Sequence, residues 1–505
     1  MELNSHILAR LISPTGTTLS EAIDLPVDVD NRKLNLILNQ LLENDDNEQY
    51  AFFVNENEIK TNLHDTISQI EDKSLLAEKT LNIQYRPQSP FHVKAVTRCT
   101  SSMEGHTEAV VSAQFSSNGR YLCSGSGDTT VRFWNIYTEL PQFSCKGHKN
   151  WVLVISWSPD DKFLASACKN GQIIIWNPVT GEQKLQPIKA HKKWINAISW
   201  KPLNIDGTSN YFVSASKDTF VKIWDATTGC LYKSLGGHAM SVTCVRWSHH
   251  NVIYTSSQDR TIKMWRPDDG VLCRTFEGHS HWVNSISLNT DYAIRTGAFD
   301  PVNAKITNEP INESASKLKI MASNRLKSLM CQVEETLVSC SDDFTLFLWK
   351  PQTSKVSVCR MTGHQNVIND VKFSPNGFMI ASASFDKSVK LWSGIDGKFI
   401  ATFRGHVQRV YLITWSADSR YICSASADST LKVWNVSQKK ILLDLPGHAD
   451  EVYAVDWSPD CQRVVSGGKD RVLKMYFLSF SMGSIFFKSQ LMSFNSRIGN
   501  IWSMN

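Results

Sequence analysis

Histidine, serine and aspartate, the residue types of hydrolase triads, recur together along most of this sequence. A histidine preceded by Gly or Ala occurs at His106, His148, His191, His238, His279, His364, His406 and His448. An aspartate follows in a turn at Asp128, Asp218, Asp259, Asp343, Asp386, Asp428 and Asp470, with Asn170 in the second unit. A reaction centre is needed once per protein, whereas this set occurs eight times. We therefore predict a repeated structural hydrogen-bond network, no catalytic residue and no enzymatic activity.

The spacing of these histidines indicates the elements that hold them. Successive intervals are 41 to 47 residues, apart from one interval of 85. Each unit closes on an aromatic residue: Trp134, Trp176, Trp224, Trp265, Trp349, Trp392 and Trp434, with Tyr476 in the eighth. This period is typical of a WD-repeat β-propeller. We predict a mainly β fold with eight blades over residues 91–476, in which the fifth blade carries an insertion at about 290–335.

Two further patterns concern the ring of blades. Nine residues after most of the histidines stands another aromatic, from Phe115 to Trp457, which we expect to pack between neighbouring blades. The last repeat lacks a fourth strand. We predict that residues 91–97, just ahead of the first repeat, supply it and close the ring.

Binding residues are expected at the end of the propeller where the innermost strands begin. Three repeats carry a tryptophan three residues after the histidine, and basic residues lie beside them: Lys149, Trp151, Lys192, Lys193, Trp194, His281 and Trp282. Lysines next to aromatic rings can bind RNA by pairing with phosphates and stacking on bases. The alternative is that the rings pack between blades and the lysines are merely solvated; the sequence leaves both open.

The first 90 residues form a separate, acidic unit. They contain 7 Lys+Arg against 15 Asp+Glu, a net charge of −8, whereas the remainder carries +13. Strands at 6–12, 22–27, 50–54 and 80–85 and a helix at 31–42 give a ββαββ order, which predicts a β-grasp (ubiquitin-like) domain. There is no terminal Gly-Gly pair, so we expect this head to dock to a partner and not to be conjugated.

Specific strings of residues extend beyond the generic repeat pattern. They include Gly147-His-Lys-Asn-Trp-Val-Leu153, Ser280-His-Trp-Val-Asn284, Asp291-Tyr-Ala-Ile-Arg-Thr-Gly-Ala-Phe-Asp300 and Leu445-Pro-Gly-His-Ala-Asp-Glu-Val-Tyr453. With the head and the eight repeats, they make about residues 1–476 resemble the Notchless family of ribosome-assembly factors.

The resemblance implies a function that spacing alone does not reveal. Family members are held by their propeller on precursors of the large (60S) ribosomal subunit, in the nucleus and nucleolus. The metal-ion-dependent adhesion site of midasin, an AAA ATPase, binds their head, and ATP-driven pulling releases assembly factors. By this resemblance Glu78 completes the coordination of the partner's Mg²⁺, and the chain needs no cofactor of its own. The alternative is a WD-repeat scaffold or substrate receptor in Notch-related signalling or ubiquitin ligation.

Other features exclude several classes of protein. All 12 cysteines follow residue 90 without a Cys-x-x-Cys pair, which argues against a disulfide framework or a zinc module. We expect no signal peptide, no membrane span and no small-molecule substrate. Residues 477–505 carry only two charged residues and depart from the family pattern; we predict an atypical tail outside the fold.

Overall fold

The computed structural model describes most of the chain in two units, a head and a propeller. The described residues are 6–13, 22–26, 29–41, 50–54, 57–59, 63, 80–87, 96–299, 314–330, 334–445 and 447–478. Glu78 and residues 479–505 lie outside them, so the metal-ligand prediction and the tail prediction beyond Leu478 stay predictions. Phe477 and Leu478, which the predicted tail of 477–505 includes, belong to a strand of the eighth blade.

In the described residues, the head has a five-stranded sheet and a helix packed on it. Its strands are His6–Ile12, Ile23–Pro26, Tyr50–Val54, Asn57–Glu58 and Leu81–Pro87, and its helix is Asn31–Leu41. In chain order the strands lie 2-1-5-3-4, with the first and fifth parallel. Leu34 and Leu38 on the helix are fully buried against Phe52 and Ile83 of the sheet, because apolar residues four apart share one helix face. This is the predicted β-grasp arrangement.

The rest of the chain forms eight four-stranded antiparallel sheets, the blades. Contacts between innermost strands run from each blade to the next and from the eighth back to the first, so the ring is closed. The blades, each given from its innermost strand outward, are: one, Val110–Phe115, Tyr121–Ser126, Thr130–Asn135 and Pro141–Lys146; two, Val152–Trp157, Leu164–Cys168, Gln172–Trp176 and Ile188–Lys189; three, Ile195–Trp200, Tyr211–Ser216, Val221–Asp225 and Leu231–Leu235; four, Val242–Trp247, Ile253–Ser257, Thr261–Trp265 and Leu272–Glu277; five, Val283–Leu288, Leu337–Ser341, Leu346–Trp349 and Cys359–Met361; six, Ile368–Phe373, Met379–Ser384, Ser388–Ser393 and Phe399–Arg404; seven, Val410–Trp415, Tyr421–Ser426, Leu431–Asn435 and Lys440–Leu445; eight, Val452–Trp457, Arg463–Gly468, Leu473–Leu478 and Val96–Met103.

Aromatic rings fill the space between blades. Trp157 of blade two stacks on Tyr121 and meets Phe133 edge-on, both in blade one. Its indole Nε1 donates to the Gln114 carbonyl at 3.1 Å, and Trp200 and Trp415 make the same bond to the preceding blade. These three rings thus bury area between sheets while their one polar atom is satisfied.

The eighth blade is completed from the start of the propeller sequence. Val96–Met103 pairs antiparallel with Leu473–Leu478, with Met103 opposite Leu473. Of the predicted closing strand, residues 91–97, Val96 and Thr97 belong to this strand, and residues 91–95 lie outside the described residues. At the end of this strand the Met103 side chain is buried in the core of the blades.

The fifth blade carries the predicted insertion between its first and second strands. It contains two described helices, Asp291–Thr296 and Ala315–Met330. Leu318 and Ala322 of the longer helix pack on Leu203, in the short helix Leu203–Asp206 of blade three, and on Ala298. The longer helix of the insertion therefore lies against the wall of the propeller.

No helix among the described residues is both long and apolar enough to cross a membrane.

Candidate functional site

The repeated histidines sit in a buried hydrogen-bond relay. In blade one, the Trp134 indole donates to Ser124 Oγ at 2.8 Å, Ser124 lies 2.7 Å from His106 Nε2, and His106 Nδ1 lies 2.7 Å from Asp128. Because Ser124 already accepts from the indole, its hydroxyl proton is free for His106 Nε2, and the Nδ1 proton points to Asp128. Ser124 is fully buried, so it cannot reach a substrate.

The same histidine–aspartate bond recurs in blades three to eight. Distances from histidine Nδ1 to the aspartate range from 2.6 to 3.1 Å, for the pairs His191–Asp218, His238–Asp259, His279–Asp343, His364–Asp386, His406–Asp428 and His448–Asp470. The closing indoles of Trp176, Trp224, Trp265, Trp349, Trp392 and Trp434 donate to the blade's central Ser or Thr at 2.7 to 2.9 Å. The complete arrangement of tryptophan, serine or threonine, histidine and aspartate thus occurs in six blades, one and three to seven, where it fixes the turn.

These bonds decide the ionisation of the aspartates. At Asp218, burial opposes ionisation, but hydrogen bonds from His191, from the Lys192 amide and from the Phe220 amide outweigh it and hold its pKa at about 2. The pKa of Asp128 is lowered further by the same kind of contacts, with Thr130 as an added donor.

Two blades depart from the pattern. In blade two, Asn170 stands at the aspartate position, and His148 Nδ1 is buried without a hydrogen-bond partner. Burial lowers the pKa of His148 to about 4. In blade eight, Tyr476 replaces the closing tryptophan and is fully buried, while His448 keeps its bonds to Ser466 and Asp470.

Aromatic rings and lysines alternate on the face of the propeller where the innermost strands begin, hereafter the histidine face. Lys169 Nζ lies 5.4 Å from the Trp151 ring centroid and 4.6 Å from that of Trp194, and Lys217 Nζ lies 4.4 Å from the Trp194 ring. We call these four residues the lysine–tryptophan cluster. Trp151 is 44% exposed and Trp194 40%, so both rings offer surface to a ligand while they pack on a neighbouring blade.

The remaining sequence candidates lie on the same face. Lys149, Lys192 and Lys193 are exposed beside the lysine–tryptophan cluster, in blades two and three. Trp282, 40% exposed, stacks obliquely with His281 in blade five, and His281 Nδ1 lies 3.5 Å from Asp342. Blade four separates this pair from the cluster. The structure thus gathers the candidates of blades two and three and leaves those of blade five apart.

The sequence reasoning missed Lys169 and Lys217, which precede the turn residue of their blades. That position pairs with the tryptophan backbone, as in the bond from the Lys169 amide to the Trp151 carbonyl at 2.9 Å. The sequence contains this signal, because the position just before the turn aspartate or asparagine can be identified in every repeat. A lysine at this position therefore lies beside the ring three residues after the histidine.

A second aromatic group on the histidine face was also missed. Tyr411 lies between Phe385 and Tyr453, with ring centroids 5.9 and 5.8 Å away. Both tyrosine hydroxyls donate to Glu451 Oε2, at 3.0 and 2.9 Å, and Arg409 lies over the Phe385 ring. Tyr411 and Tyr453 share one repeat position, five residues after the repeat histidine, and Phe385 stands just before its turn aspartate, so the spacing marks this group as well.

The opposite end of the central channel is closed by the insertion. The channel is a cavity of about 670 Å³ lined by the innermost strands of all eight blades and by Asp291, Tyr292 and Arg295. Arg295 donates to both carboxylate oxygens of Asp456 in blade eight, at 2.8 and 2.5 Å.

Comparison with known proteins assigns the family. Residues 7–67 match the NLE (NUC135) domain, and seven segments between 97 and 476 match the WD domain, G-beta repeat. The chain is 54% identical over 370 residues to "Protein Notchless" of Drosophila melanogaster, covering 73% of this chain and 75% of that protein. The chain belongs to the Notchless family.

Other Notchless relatives extend the likeness across kingdoms. "Notchless protein homolog" of Arabidopsis thaliana is 49% identical over 79% of this chain and 83% of its own length. "Ribosome assembly protein 4" of Saccharomyces cerevisiae is 40% identical over 77% of this chain and 78% of its own length. The family of WD-repeat proteins that includes these Notchless and ribosome-assembly proteins is not generally enzymatic.

A solved structure supports the fold. The computationally designed Ika8 protein is 24% identical and superimposes with a TM-score of 0.58 over 75% of this chain and 100% of the designed chain. The matched WD segments leave out residues 267–354, where blade five lies. The insertion lengthens the histidine interval of blade five to 85 residues, so this repeat does not match the WD-repeat pattern. The blade nevertheless has four strands like the others.

Proposed function

We propose that this protein is a non-enzymatic assembly factor of the large ribosomal subunit. The observation that carries the proposal is the similarity to proteins named for ribosome assembly, at 40% identity over 78% of their length, together with matches in both the head and the propeller. The chain then acts in the nucleus and nucleolus, where large-subunit precursors are built.

In this proposal the histidine face of the propeller binds the precursor particle. Half-exposed rings that alternate with lysines suit RNA, since each lysine attracts a phosphate and each ring offers a stacking surface to a base. The head faces a different kind of partner. Its net charge of −8 suits a metal-bearing protein surface and not RNA.

The head, in turn, binds the metal-ion-dependent adhesion site of midasin, with Glu78 as a ligand supplied to the partner's Mg²⁺. Mg²⁺ prefers hard oxygen ligands in octahedral geometry, and one carboxylate from a partner can fill an open position. ATP hydrolysis by midasin then pulls on this chain and releases assembly factors from the particle.

Sedimentation of the tagged chain from nuclear extract tests the proposal. We expect it in the fractions that contain large-subunit precursor RNA, and in nucleoli by fluorescence. A variant with Lys192→Glu and Lys193→Glu should move toward light fractions, whereas Lys439→Glu with Lys440→Glu, an equal charge change on exposed residues away from the histidine face, should not. Wild-type protein confined to light fractions, bound to signalling or ubiquitin-ligase components, would overturn it.

A further inference from the structure

Two histidines and a glutamate from neighbouring blades meet on the face opposite the histidine face. His249 and His250 lie in the turn after the innermost strand of blade four, and Glu335 lies just before the second strand of blade five. His249 Nδ1 and His250 Nε2 are each 3.8 Å from Glu335 Oε2. Within the described parts of the chain, this group places three potential ligand atoms within 4.8 Å of one another.

Their burial sets these side chains apart from a surface cluster. The Glu335 side chain is fully buried and its Oε1 has no hydrogen-bond partner, although the Gln352 amide is a near neighbour. His249 Nδ1 is also buried and unpartnered, while the His250 side chain is half exposed. A buried carboxylate with one oxygen unpartnered is costly, so the approach of its other oxygen, Oε2, to two imidazoles calls for an explanation.

The backbone around each ligand is held in place. Ser248 Oγ donates to Glu335 Oε2 at 2.8 Å, and the Asn204 amide of blade three donates to the His249 carbonyl at 3.0 Å. Asn289 of blade five bonds the Glu334 carbonyl and the Thr336 amide, on either side of Glu335. Such outer contacts orient ligands in metal sites.

We propose that His249, His250 and Glu335 bind a zinc ion. Two imidazoles and one carboxylate are a donor set that Zn²⁺ takes with a fourth position open to water. Zinc bonds of about 2.0–2.1 Å place tetrahedral ligand atoms roughly 3.4 Å apart. The two histidine–glutamate distances of 3.8 Å are close to this, and all three ligand atoms lie within 4.8 Å of one another, so the side chains must move inward to bind the ion. Mg²⁺, which prefers oxygen ligands, does not suit this site.

A zinc ion at this place links two neighbouring blades. Glu335 lies where the long insertion returns to blade five, and the histidines belong to blade four. A bound ion ties the end of the insertion to the adjacent blade, in addition to the bond from Ser248. The site lies outside the blade networks and the histidine face, and it does not depend on the proposed function.

Zinc titration of the purified, reduced full-length protein tests the site. We expect the wild-type chain to bind one Zn²⁺ more than the variant His249→Asn with His250→Asn, and to show no such binding with Mg²⁺. Glu335→Gln should lower the affinity for that zinc ion at least tenfold. His281→Asn is the matched control, because His281 is exposed beside Asp342 on the other face, and it should bind like the wild type.

A second readout remains available if Glu335→Gln fails to fold. His250 is half exposed, so His250→Asn should fold, and Zn²⁺ should raise the melting temperature of the wild type and not of this variant. Co²⁺ should give visible bands of a nitrogen and oxygen site without thiolate charge-transfer bands. Equal zinc stoichiometry in the wild type and the double variant, or a thiolate spectrum unaffected by His250→Asn, would overturn the proposal.

Discussion

Arg295 and Asp456 form a two-point ion pair across the channel, although they lie 161 residues apart in sequence. Arg295 also donates to the Phe115 carbonyl in blade one, and Asp456 accepts from the Phe115 amide. Asp291, at the start of the same helix, pairs with Arg246 in blade four. The helix Asp291–Thr296 from the insertion thus connects blade five to blades one, four and eight.

Replacement of Arg295 by Met should therefore destabilise the whole propeller. Asp456 is 5% exposed, and loss of its partner leaves a buried charge, which costs about 3 kcal/mol of unfolding free energy. Calorimetry or urea unfolding measures this loss. Arg266→Met is the control, since Arg266 pairs with Asp269 on the surface and should cost less than about 1 kcal/mol. Equal effects of the two substitutions would contradict the bridging role.

Asn170→Asp should stabilise the protein. The carboxylate takes the position that in seven other blades accepts from histidine Nδ1, and it gives the unpartnered His148 Nδ1 an acceptor. The expected gain in unfolding free energy at neutral pH is about 1–2 kcal/mol. Asn150→Asp provides the control. It adds the same charge close by, since Asn150 Nδ2 lies 2.9 Å from Asn170 Oδ1, but position 150 is not the aspartate position of the repeat. A melting temperature for Asn170→Asp at or below that of Asn150→Asp would count against this interpretation.

Asparagine at position 170 should also make the free energy of unfolding sensitive to acid. The unfolded chain protonates His148 below its ordinary pKa of 6.5, whereas the folded protein keeps it neutral down to about 4. Stability from this residue is therefore complete above pH 6.5 and falls as the pH drops toward 4, by about 2 kcal/mol at pH 5. Asn170→Asp should remove most of this loss, since the carboxylate stabilises protonated His148. Unfolding free energies measured at pH 7.5 and pH 5 for both proteins isolate the effect, because the other histidines are common to them.

Lysines of the lysine–tryptophan cluster should carry RNA binding by the propeller. Lys169→Glu with Lys217→Glu should weaken RNA affinity at least tenfold at low salt and make the dependence of log K on log salt shallower by about 1–2. Trp151→Ala with Trp194→Ala should also weaken binding, by about 1–3 kcal/mol per lost stacked base, but leave the salt slope unchanged. Fluorescence anisotropy with a single-stranded ribosomal RNA fragment distinguishes the two effects.

The outcome that would count against an RNA-binding cluster is equally specific. Lys439→Glu with Lys440→Glu changes the charge as much on exposed residues of blade seven and should have little effect. If it weakens RNA binding as much as the cluster variant does, the attraction comes from the diffuse net charge of +13 and not from the cluster.

The sequence predicted those features that repeat. A histidine every 41 to 47 residues is enough to locate seven blades, and Ser341–Trp349 reveals the fifth despite its insertion. Each repeat buries its own aromatic residues, so Trp157 and Trp200 could be assigned to the spaces between blades from spacing alone. In the head, the strand His6–Ile12 and the helix beginning at Asn31 follow from local periodicity.

Features that occur once could not be predicted in this way. The bond from Arg295 to Asp456 depends on how the ring closes, and no local pattern marks either residue. The meeting of His250 with Glu335 likewise depends on the contact of two adjacent blades. Stacking of Lys169 on Trp194 requires the register of neighbouring blades, which becomes visible only when the sheets are placed side by side.

Substitutions of Glu78 should distinguish the effect of side-chain charge on midasin binding from the effect of side-chain length. Glu78→Asp keeps the charge but shortens the side chain by one methylene, so a carboxylate that must reach a Mg²⁺ ion in a partner should lose binding in both Glu78→Asp and Glu78→Ala. Glu71→Asp and Glu71→Ala are matched controls on another acidic residue of the head, and both should bind midasin as the wild type does. Pull-down with the midasin adhesion domain should further show that EDTA abolishes wild-type binding, because the ion itself is part of the contact. Binding that survives Glu78→Ala, or that falls equally in the Glu71 variants, would mean that the acidic head attracts its partner through net charge and not through one metal ligand.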